Sequence, residues 1–288
     1  MSYMALRQLI VAGVDDSPSS RAAVEWAAYR AERLQHSLQL VRAVPDYLVS
    51  FGNVEYQSVQ DALGGLLESE AARVRKFAPS SDVQTSLHLG EPAEVLAELS
   101  GGAAMVVVGT DRTADEHGEA FGAVDLQIAM NAKCPVAVVP VGQTAGHAGV
   151  VVGIDGSPGS MDAAYFAAAE AASTGQVLTV IYASSAHAGW LDSSTRGPVT
   201  AKRDETQGRM ILESAVACLR ARHIHLIVCD RFAKDDVPAR VLINAARGAE
   251  MLVVGSRGKG VVQHALMGSV VRDLLLQVPC PLVLTRPV

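Results

Sequence analysis

The sequence predicts two tandem α/β domains, each a doubly wound, five-stranded parallel sheet with helices on both faces. Three observations support this: the length, an internal repeat, and Val-rich runs alternating with Ala-rich helical stretches. The chain has 288 residues, about twice an ordinary domain. The repeat is direct. Val11-Ala-Gly-Val-Asp15-Asp-Ser17-Pro18 recurs as Val151-Val-Gly-Ile-Asp155-Gly-Ser157-Pro158, an offset of 140. Further on, Pro92-Ala93 recurs as Pro238-Ala239, Met105 to Gly109 as Met251 to Gly255, and Cys134-Pro135 as Cys280-Pro281. Here the offset is 146, so the second copy carries six more residues between 184 and 237. These matches divide the chain into domains at 1–142 and 150–288, with the polar, Gly-rich stretch 143–149 as linker.

Within each copy a short apolar run (9–14 or 150–154) ends at an acidic residue. Ser17-Pro18 or Ser157-Pro158 then supplies an N-cap with Pro at the first helical position, and an Ala-rich helix follows. The second strand is expected at 38–44 or 177–183, and the third, after a variable helical region, at 83–89 or 223–229. A helix leads to the fourth strand, 105–109 or 251–255. A loop, a helix (270–278 in the second copy) and a last strand (136–141 or 282–285) close the copy. Because aromatics are only 5% of residues, the cores are built from Val, Leu, Ile and Ala. Apolar runs of this kind mark strands covered on both faces. In such sheets ligands sit at the carboxyl ends of the strands, near the point where strand order reverses. Asp15 and Asp155, and Gly109 and Gly255, all fall at strand ends of that kind.

The stretch with the clearest chemistry follows Gly255. It reads Gly255-Ser-Arg257-Gly258-Lys259-Gly-Val-Val-Gln-His264-Ala-Leu-Met-Gly268-Ser269-Val270, a Gly-x2-Gly-x9-Gly-Ser spacing before an apolar helix. Glycines let backbone N–H groups approach phosphate oxygens without an intervening Cβ. A helix opening at Gly268-Ser269 presents free N–H groups and the positive end of its dipole, and Arg257 and Lys259 add formal charge. Neither a Walker A sequence nor a Gly-x-Gly-x-x-Gly after the first strand is present.

This constellation resembles the universal stress protein family in its ATP-binding branch. The likeness runs through nearly the whole chain twice and includes the Asp-x-Ser start, the Gly90-Glu-Pro-Ala93 turn and the Cys-Pro final strand. It implies an adenine nucleotide alpha hydrolase-like fold and ATP as the cofactor, with Mg²⁺ carried by the phosphates. It places adenine near Asp155 and near the second strand around Ala183, and adds Gly156 and Ser157 to the cofactor-binding residues. Phosphates fall to Gly255, Arg257, Gly258, Gly268, Ser269 and Val270. The alternative for Asp155 is a carboxylate that caps the following helix.

The first copy departs from the motif. Arg112 stands where the second glycine belongs and Ala123 where Ser is expected, leaving Asp15, Ala43, Gly109 and Gly122 as a weaker site. Residues 111–121 carry a net charge of -3 and residues 256–267 one of +2. Asp125 adds a carboxylate to the first turn of the following helix, where the second copy has Val271. One nucleotide site per chain is therefore expected, in the second domain. Arg112 is expected to be a surface residue in a solvated acidic loop, the alternative being a clamp on another anion assisted by His117.

The overall charge of -6 argues against a nucleic-acid partner and against a polybasic membrane anchor. It is unevenly shared: -8 over residues 1–144 and +2 over 145–288. No apolar run is long enough to span a membrane and no signal peptide is readable, so a cytoplasmic location is expected. Cys134, Cys218, Cys229 and Cys280 show no metal or CxxC spacing and read as buried small hydrophobes. No catalytic residue or metal site is assigned: His264 has no evident orienting carboxylate, and Asp235-Asp236 before Pro238 reads as a solvated helix start. The expected function is an ATP-binding stress-response regulator acting through a conformational or partner-binding change. The alternatives are a slow ATPase or autophosphorylating protein and a nucleotide-stabilised scaffold. The likeness also implies that the last strands pair the two domains within the chain, with a homodimer as a further arrangement. Residues 47–56 and 190–198 differ between the copies and are the candidate surfaces for an unidentified regulatory partner.

Overall fold

The computed structural model describes residues 8–45, 56–112, 124–142, 147–184, 198–234, 236–256 and 267–286. The chain forms two compact units, residues 1–111 with 118–142 and residues 112–117 with 143–288.

In the first unit the strands are β1 (Leu9–Gly13), β2 (Ser37–Val44), β3 (Asp82–Leu89), β4 (Met105–Thr110) and β5 (Val136–Pro140). The helices are α1 (Pro18–Leu34), α2 (Tyr56–Phe77), α3 (Pro92–Leu99) and α4 (Val124–Asn131). All pairings are parallel, in the order β3-β2-β1-β4-β5, so the order reverses between β1 and β4. The second unit repeats this with β6 (Val150–Ile154), α5 (Pro158–Thr174), β7 (Leu178–Ser184), α6 (Pro198–Arg222), β8 (Val228–Lys234), α7 (Pro238–Ala246), β9 (Met251–Gly255), α8 (Ser269–Leu276) and β10 (Leu282–Thr285). Its order is β8-β7-β6-β9-β10, again parallel throughout. The expected α/β class is thus present twice.

Local chemistry explains the first crossover of each unit. The Ser17 and Ser157 hydroxyls accept from the N–H groups of Ser20 and Ser160, with Pro18 and Pro158 in the first turn. The helices end in left-handed residues, Gln35 at φ 54° and Gly175 at φ 65°. Between the caps, Ala23, Ala27 and Ala31, and likewise Ala163, Ala167 and Ala171, are wholly buried at i, i+4 spacing. Such small side chains bring each helix close onto β4 or β9. Each buried methyl contributes about 0.8 kcal/mol of transfer energy, so the stripe acts by number.

The other elements with expected bounds lie within one residue of them at each end, and two differ by more. The third strand of the second unit is Val228–Lys234 and not 223–229. The alternating run His223-Ile-His-Leu-Ile227 forms a turn instead, in which the Leu226 N–H donates to the His223 carbonyl at 3.0 Å. Ile224 and Ile227 are exposed there. The strand itself has one buried residue, Val228, and exposes Cys229, Asp230 and Arg231, so it lacks the apolar signal on which the expectation rested. The last helix spans Ser269–Leu276, one residue earlier at its start and two shorter at its end than 270–278. Among the described residues no helix is long and apolar enough to cross a membrane.

Candidate functional site

The carboxyl ends of β6, β7 and β9 and the amino end of α8 enclose a cavity of about 170 Å³. From the β6 end come Gly153, Ile154 and Asp155, and from β7 Ile181 and Ala183. Val254 and Gly255 of β9 add to the wall, and Gly268, Ser269, Val270 and Val271 close it at the start of α8. This is the point where strand order reverses, the crevice expected to take ligands in open α/β sheets.

Two glycines shape the walls. A Cβ on Gly153 would lie 2.8 Å from Leu242 Cδ1, so its absence lets α7 lie close to the sheet. A Cβ on Gly255 would lie 2.7 Å from the Gly159 carbonyl oxygen at the start of α5. Gly109 is tighter still, 2.2 Å from the Ser19 backbone. The strand-end glycines are therefore required by the close approach of the first helix, a packing reason that the phosphate argument overlooked.

The turn after β6 is held by a small hydrogen-bond network. Asp155 Oδ1 accepts from the Ser157 N–H at 2.8 Å. Ser160 Oγ accepts from the N–H groups of Asp155 and Gly156 at 3.3 and 3.2 Å and donates to the Ser157 carbonyl at 2.9 Å. Gly156 occupies φ 81°, where a side chain would be strained. Asp155 therefore stabilises the turn that starts α5 while also lining the cavity. Gly156 and Ser157, expected to touch ligand, do not line it. Ser157 spends its hydroxyl on the Ser160 N–H at 3.2 Å.

At the opposite end, Gly268 begins α8 with no side-chain capping bond, and its first turn contains no acidic residue. Free N–H groups at such a start favour an anion. Just past β9, the Ser256 hydroxyl is buried without a hydrogen-bond partner among the described residues. Of the expected site, Asp155, Ala183, Gly255, Gly268, Ser269 and Val270 are brought together. Arg257 and Gly258 lie outside the described residues, as do Lys259 and His264. Sequence reasoning did not find Pro238 and Leu242 of α7, which complete the apolar wall. The repeat of Pro92 as Pro238 was the available signal.

Tyr182 of β7 was also missed. It stacks on Phe232 with centroids 5.6 Å apart, and a Cβ on Gly208 would lie 2.6 Å from its ring. Burial first, then the carboxylates of Asp155 and Asp204, push its phenol above the ordinary value. Arg209 lies 4.5 Å from the Phe232 ring centroid, a cation–π contact on the same stack.

The first unit has a cavity of the same size, about 170 Å³, at the ends of β1, β2 and β4. Asp15, Ala43 and Gly109 line it as expected, while Gly122 and His117 lie outside the described residues. Its end at the start of α4 differs. Asp125 in the first turn of α4 is only 6% exposed. Its Oδ1 accepts from the Leu126 N–H at 2.9 Å, and its Oδ2 accepts from Thr110 Oγ1 at 3.3 Å. Thr110 and Asp125 occupy the places of Ser256 and Val271. Arg112 is not the solvated surface residue expected. It is 8% exposed, belongs to the second compact unit and donates to the Leu275 carbonyl at 3.4 Å.

The remaining candidates divide similarly. Cys134 and Cys280 are buried as expected, and burial pushes the Cys280 thiol up to about 12. Cys218 and Cys229 are exposed, against expectation: one sits on a helix surface and the other on the polar strand β8. Asp236 accepts from the Val237 N–H at 2.7 Å and pairs with Arg240, while Asp235 lies outside the described residues. Among the described residues no cluster of metal-ligating side chains occurs.

The family model described as the universal stress protein family matches residues 7–140 and again 149–286. A universal stress protein of Mycobacterium tuberculosis strain H37Rv is 31% identical over 306 residues, covering 96% of this chain and 94% of its own. One from Mycobacterium bovis is 29% identical over 296 residues, covering 96% of both. Among solved structures, a universal stress protein from Archaeoglobus fulgidus superposes with a TM-score of 0.73 at 16% identity, over 97% of this chain and 96% of that one; this likeness is one of fold. The duplicated sheet, the glycine-walled cavity at each switch point and these matches agree: the chain belongs to the universal stress protein family, as a tandem of two such domains.

Proposed function

We propose that the chain is a stress-response regulator that binds ATP in the cavity of its second unit, and that the first unit binds ATP weakly or not at all. One observation carries this reading. The cavity of the second unit ends on an uncapped helix start free of acidic residues, whereas that of the first unit ends on the buried carboxylate of Asp125. Phosphate oxygens suit the first arrangement and are repelled by the second.

In this reading adenine lies between Asp155 and Ala183, against Ile181 and Leu242. The N–H groups at Gly268, Ser269 and Val270 receive the phosphates, and Gly255 borders them. Arg257 and Gly258, which follow β9 in sequence, supply a charge and an unobstructed backbone. Magnesium enters with the phosphates. The buried Ser256 hydroxyl supports the reading, since a polar group at the start of the phosphate loop gains a partner when an anion orders that loop. Regulation as the role is the reading that family membership supports.

The test is the identity and stoichiometry of nucleotide on the purified chain, read by acid extraction and chromatography and then by equilibrium dialysis. About one ATP per chain is expected, remaining intact over hours. Two equivalents, or none, would overturn the reading, and release of phosphate on that timescale would replace regulator with hydrolase.

A further inference from the structure

We infer that a groove at the opposite end of the second unit's sheet is a further small-molecule site, one that takes a medium-chain aliphatic carboxylate. The groove lies where α5 and α6 end and β7 and β8 begin, and its volume is about 410 Å³. It stands independently of the nucleotide reading of the strand-end cavity.

The first unit shows what the groove replaces. Each unit turns from its long helix into its third strand in the same way: the Ser81 N–H donates to the Ala78 carbonyl at 3.1 Å, and the Leu226 N–H to the His223 carbonyl at 3.0 Å. The first helices also end alike, on left-handed Gln35 and Gly175. In the first unit two polar contacts close the space between turn and helix end. The Ser80 N–H donates to Glu32 Oε1 at 3.1 Å, and Ser37 Oγ donates to Asp82 Oδ2 at 2.9 Å. In the second unit the first of these pairs becomes His225 and Ala172, and the second becomes Val177 and Ile227. Neither contact can form, so the space stays open and its walls turn aliphatic. Ile224 and Ile227 are 79% and 65% exposed there, although Pro79 and Ser80 serve the same turn in the first unit. Exposed aliphatic surface grouped beside a groove marks a contact site.

The lining selects the ligand. Among its described residues none is acidic and none is Phe, Tyr or Trp; the apolar ones are Ala, Val, Ile and Leu, which suit a flexible saturated chain. The polar groups are of one charge sign. Arg222, His223 and His225 line the groove, and their side chains make no hydrogen bond or ion pair with other described residues. The Arg222 guanidinium lies 5.1 Å from the Tyr165 ring centroid, a contact that leaves its N–H donors unused. An anionic head is the complement of this set. Because two helices end here, the negative ends of their dipoles lie at the groove, which favours a singly charged carboxylate over a phosphate. A two-fold contact with a second copy would set the three basic side chains against their own kind. A water-sized group takes about 30 Å³, so a chain of about ten carbons fits the volume.

The experiment is isothermal titration calorimetry of the full chain with hexanoate, octanoate and decanoate below their micelle thresholds, and with decanol and decylamine. One equivalent of decanoate is expected, with affinity rising about three-fold for each methylene added from hexanoate. Decylamine is expected to bind at least about ten-fold more weakly than decanoate. Ile227→Asp restores the acid of the first unit at an exposed position and should cut decanoate affinity at least about ten-fold, with circular dichroism unchanged. Arg222→Gln should weaken decanoate about five-fold and leave decanol as it was. Absence of saturable decanoate binding, decylamine as tight as decanoate, or unchanged affinity in Ile227→Asp would each overturn the inference. Displacement of decanoate by ATP would overturn it too, by placing the carboxylate in the strand-end cavity. A dimer in sedimentation that Ile227→Asp disrupts would give the groove to a second copy instead.

Discussion

The two strand-end cavities were built from one ancestral sequence pattern, and their difference is concentrated in a few positions. Around the turn after the first strand they keep the same Asp, the same capping Ser and the same glycine against the first helix. Between the end of the fourth strand and the start of the last helix they diverge: Thr110 and Asp125 bond to each other, where Ser256 has no partner among the described residues and Val271 replaces the acid. The shared half is the part the fold itself needs, since it holds the crossover onto the sheet. The divergent half differs in its polar groups, Thr110 and Asp125 in one unit against Ser256 and Val271 in the other.

The sharpest way to break this comparison is to give the second unit the electrostatics of the first. Gly268→Asp places a carboxylate at the start of α8. Two charges about 4–5 Å apart interact by about 3–4 kcal/mol at an effective dielectric near 20. ATP affinity is expected to fall at least 100-fold, with folding intact by circular dichroism. Unchanged binding by calorimetry would place the phosphates elsewhere.

The next largest effect tests the shared half. A Cβ on Gly109 would lie 2.2 Å from the Ser19 backbone, and one on Gly255 2.7 Å from the Gly159 carbonyl. Neither neighbour is a flexible side chain that can swing away. Gly109→Ala is expected to destabilise its unit by about 2–3 kcal/mol, and Gly255→Ala by somewhat less. Urea unfolding measures both. If Gly255→Ala lost ATP binding with full stability, the glycine would be there for the ligand and not for the helix.

These contacts also mark the limit of what the sequence discloses. The Val runs, the Ser-Pro helix starts and the two repeat offsets contain enough information for nine of the ten strands, because each is a local pattern with a local cause. The third strand of the second unit escaped. Its Asp230 and Arg231 point to solvent, whereas the alternating His223 to Ile227 lies in a turn. The offset of 146 applied to residues 83–89 gives 229–235, so the repeat carried the answer that hydrophobic alternation obscured. In the site, glycine spacing identified the positions but not their reason, since only three-dimensional contact shows Ser19 or Gly159 against the strand end. Arg112 was misplaced for a related cause: a charged residue in an acidic stretch reads as solvated, and its carbonyl partner at Leu275 is 163 residues away.

A finer comparison sets Thr110 against Ser256. Thr110→Val removes a buried hydroxyl that donates to Asp125 and leaves that carboxylate short of a donor, so about 1 kcal/mol of destabilisation is expected. Ser256→Ala removes a buried hydroxyl with no partner among the described residues, and in ligand-free protein the expected change is near zero or stabilising. Saturating ATP should reverse the second result, with Ser256→Ala then showing the smaller ligand-induced rise in Tm. Equal destabilisation by both substitutions without ligand would contradict the difference between the two ends.

The smallest effect lies at the paired positions 42 and 182, on β2 and β7. In the first unit, the hydrogen bond from Arg42 holds the Asp16 carboxyl below its ordinary value, helped by the charges of Arg42 and Arg21 and opposed by desolvation. A lowered carboxylate pKa gives stability that is present above the unfolded value near 3.9 and is lost as pH falls through the folded one. Asp16 is 64% exposed in this pair, so solvent screening limits the contribution to about 0.5 kcal/mol. In the second unit the same strand position is Tyr182, whose phenol is raised by burial and by Asp155 and Asp204. Stability from that group is present below the unfolded value near 10 and declines as pH rises past it. Arg42→Gln should therefore flatten the acid limb of the stability profile below about pH 4, and Tyr182→Phe the alkaline limb above about pH 10. If either substitution altered the opposite limb, the two positions would not act through the partners found here.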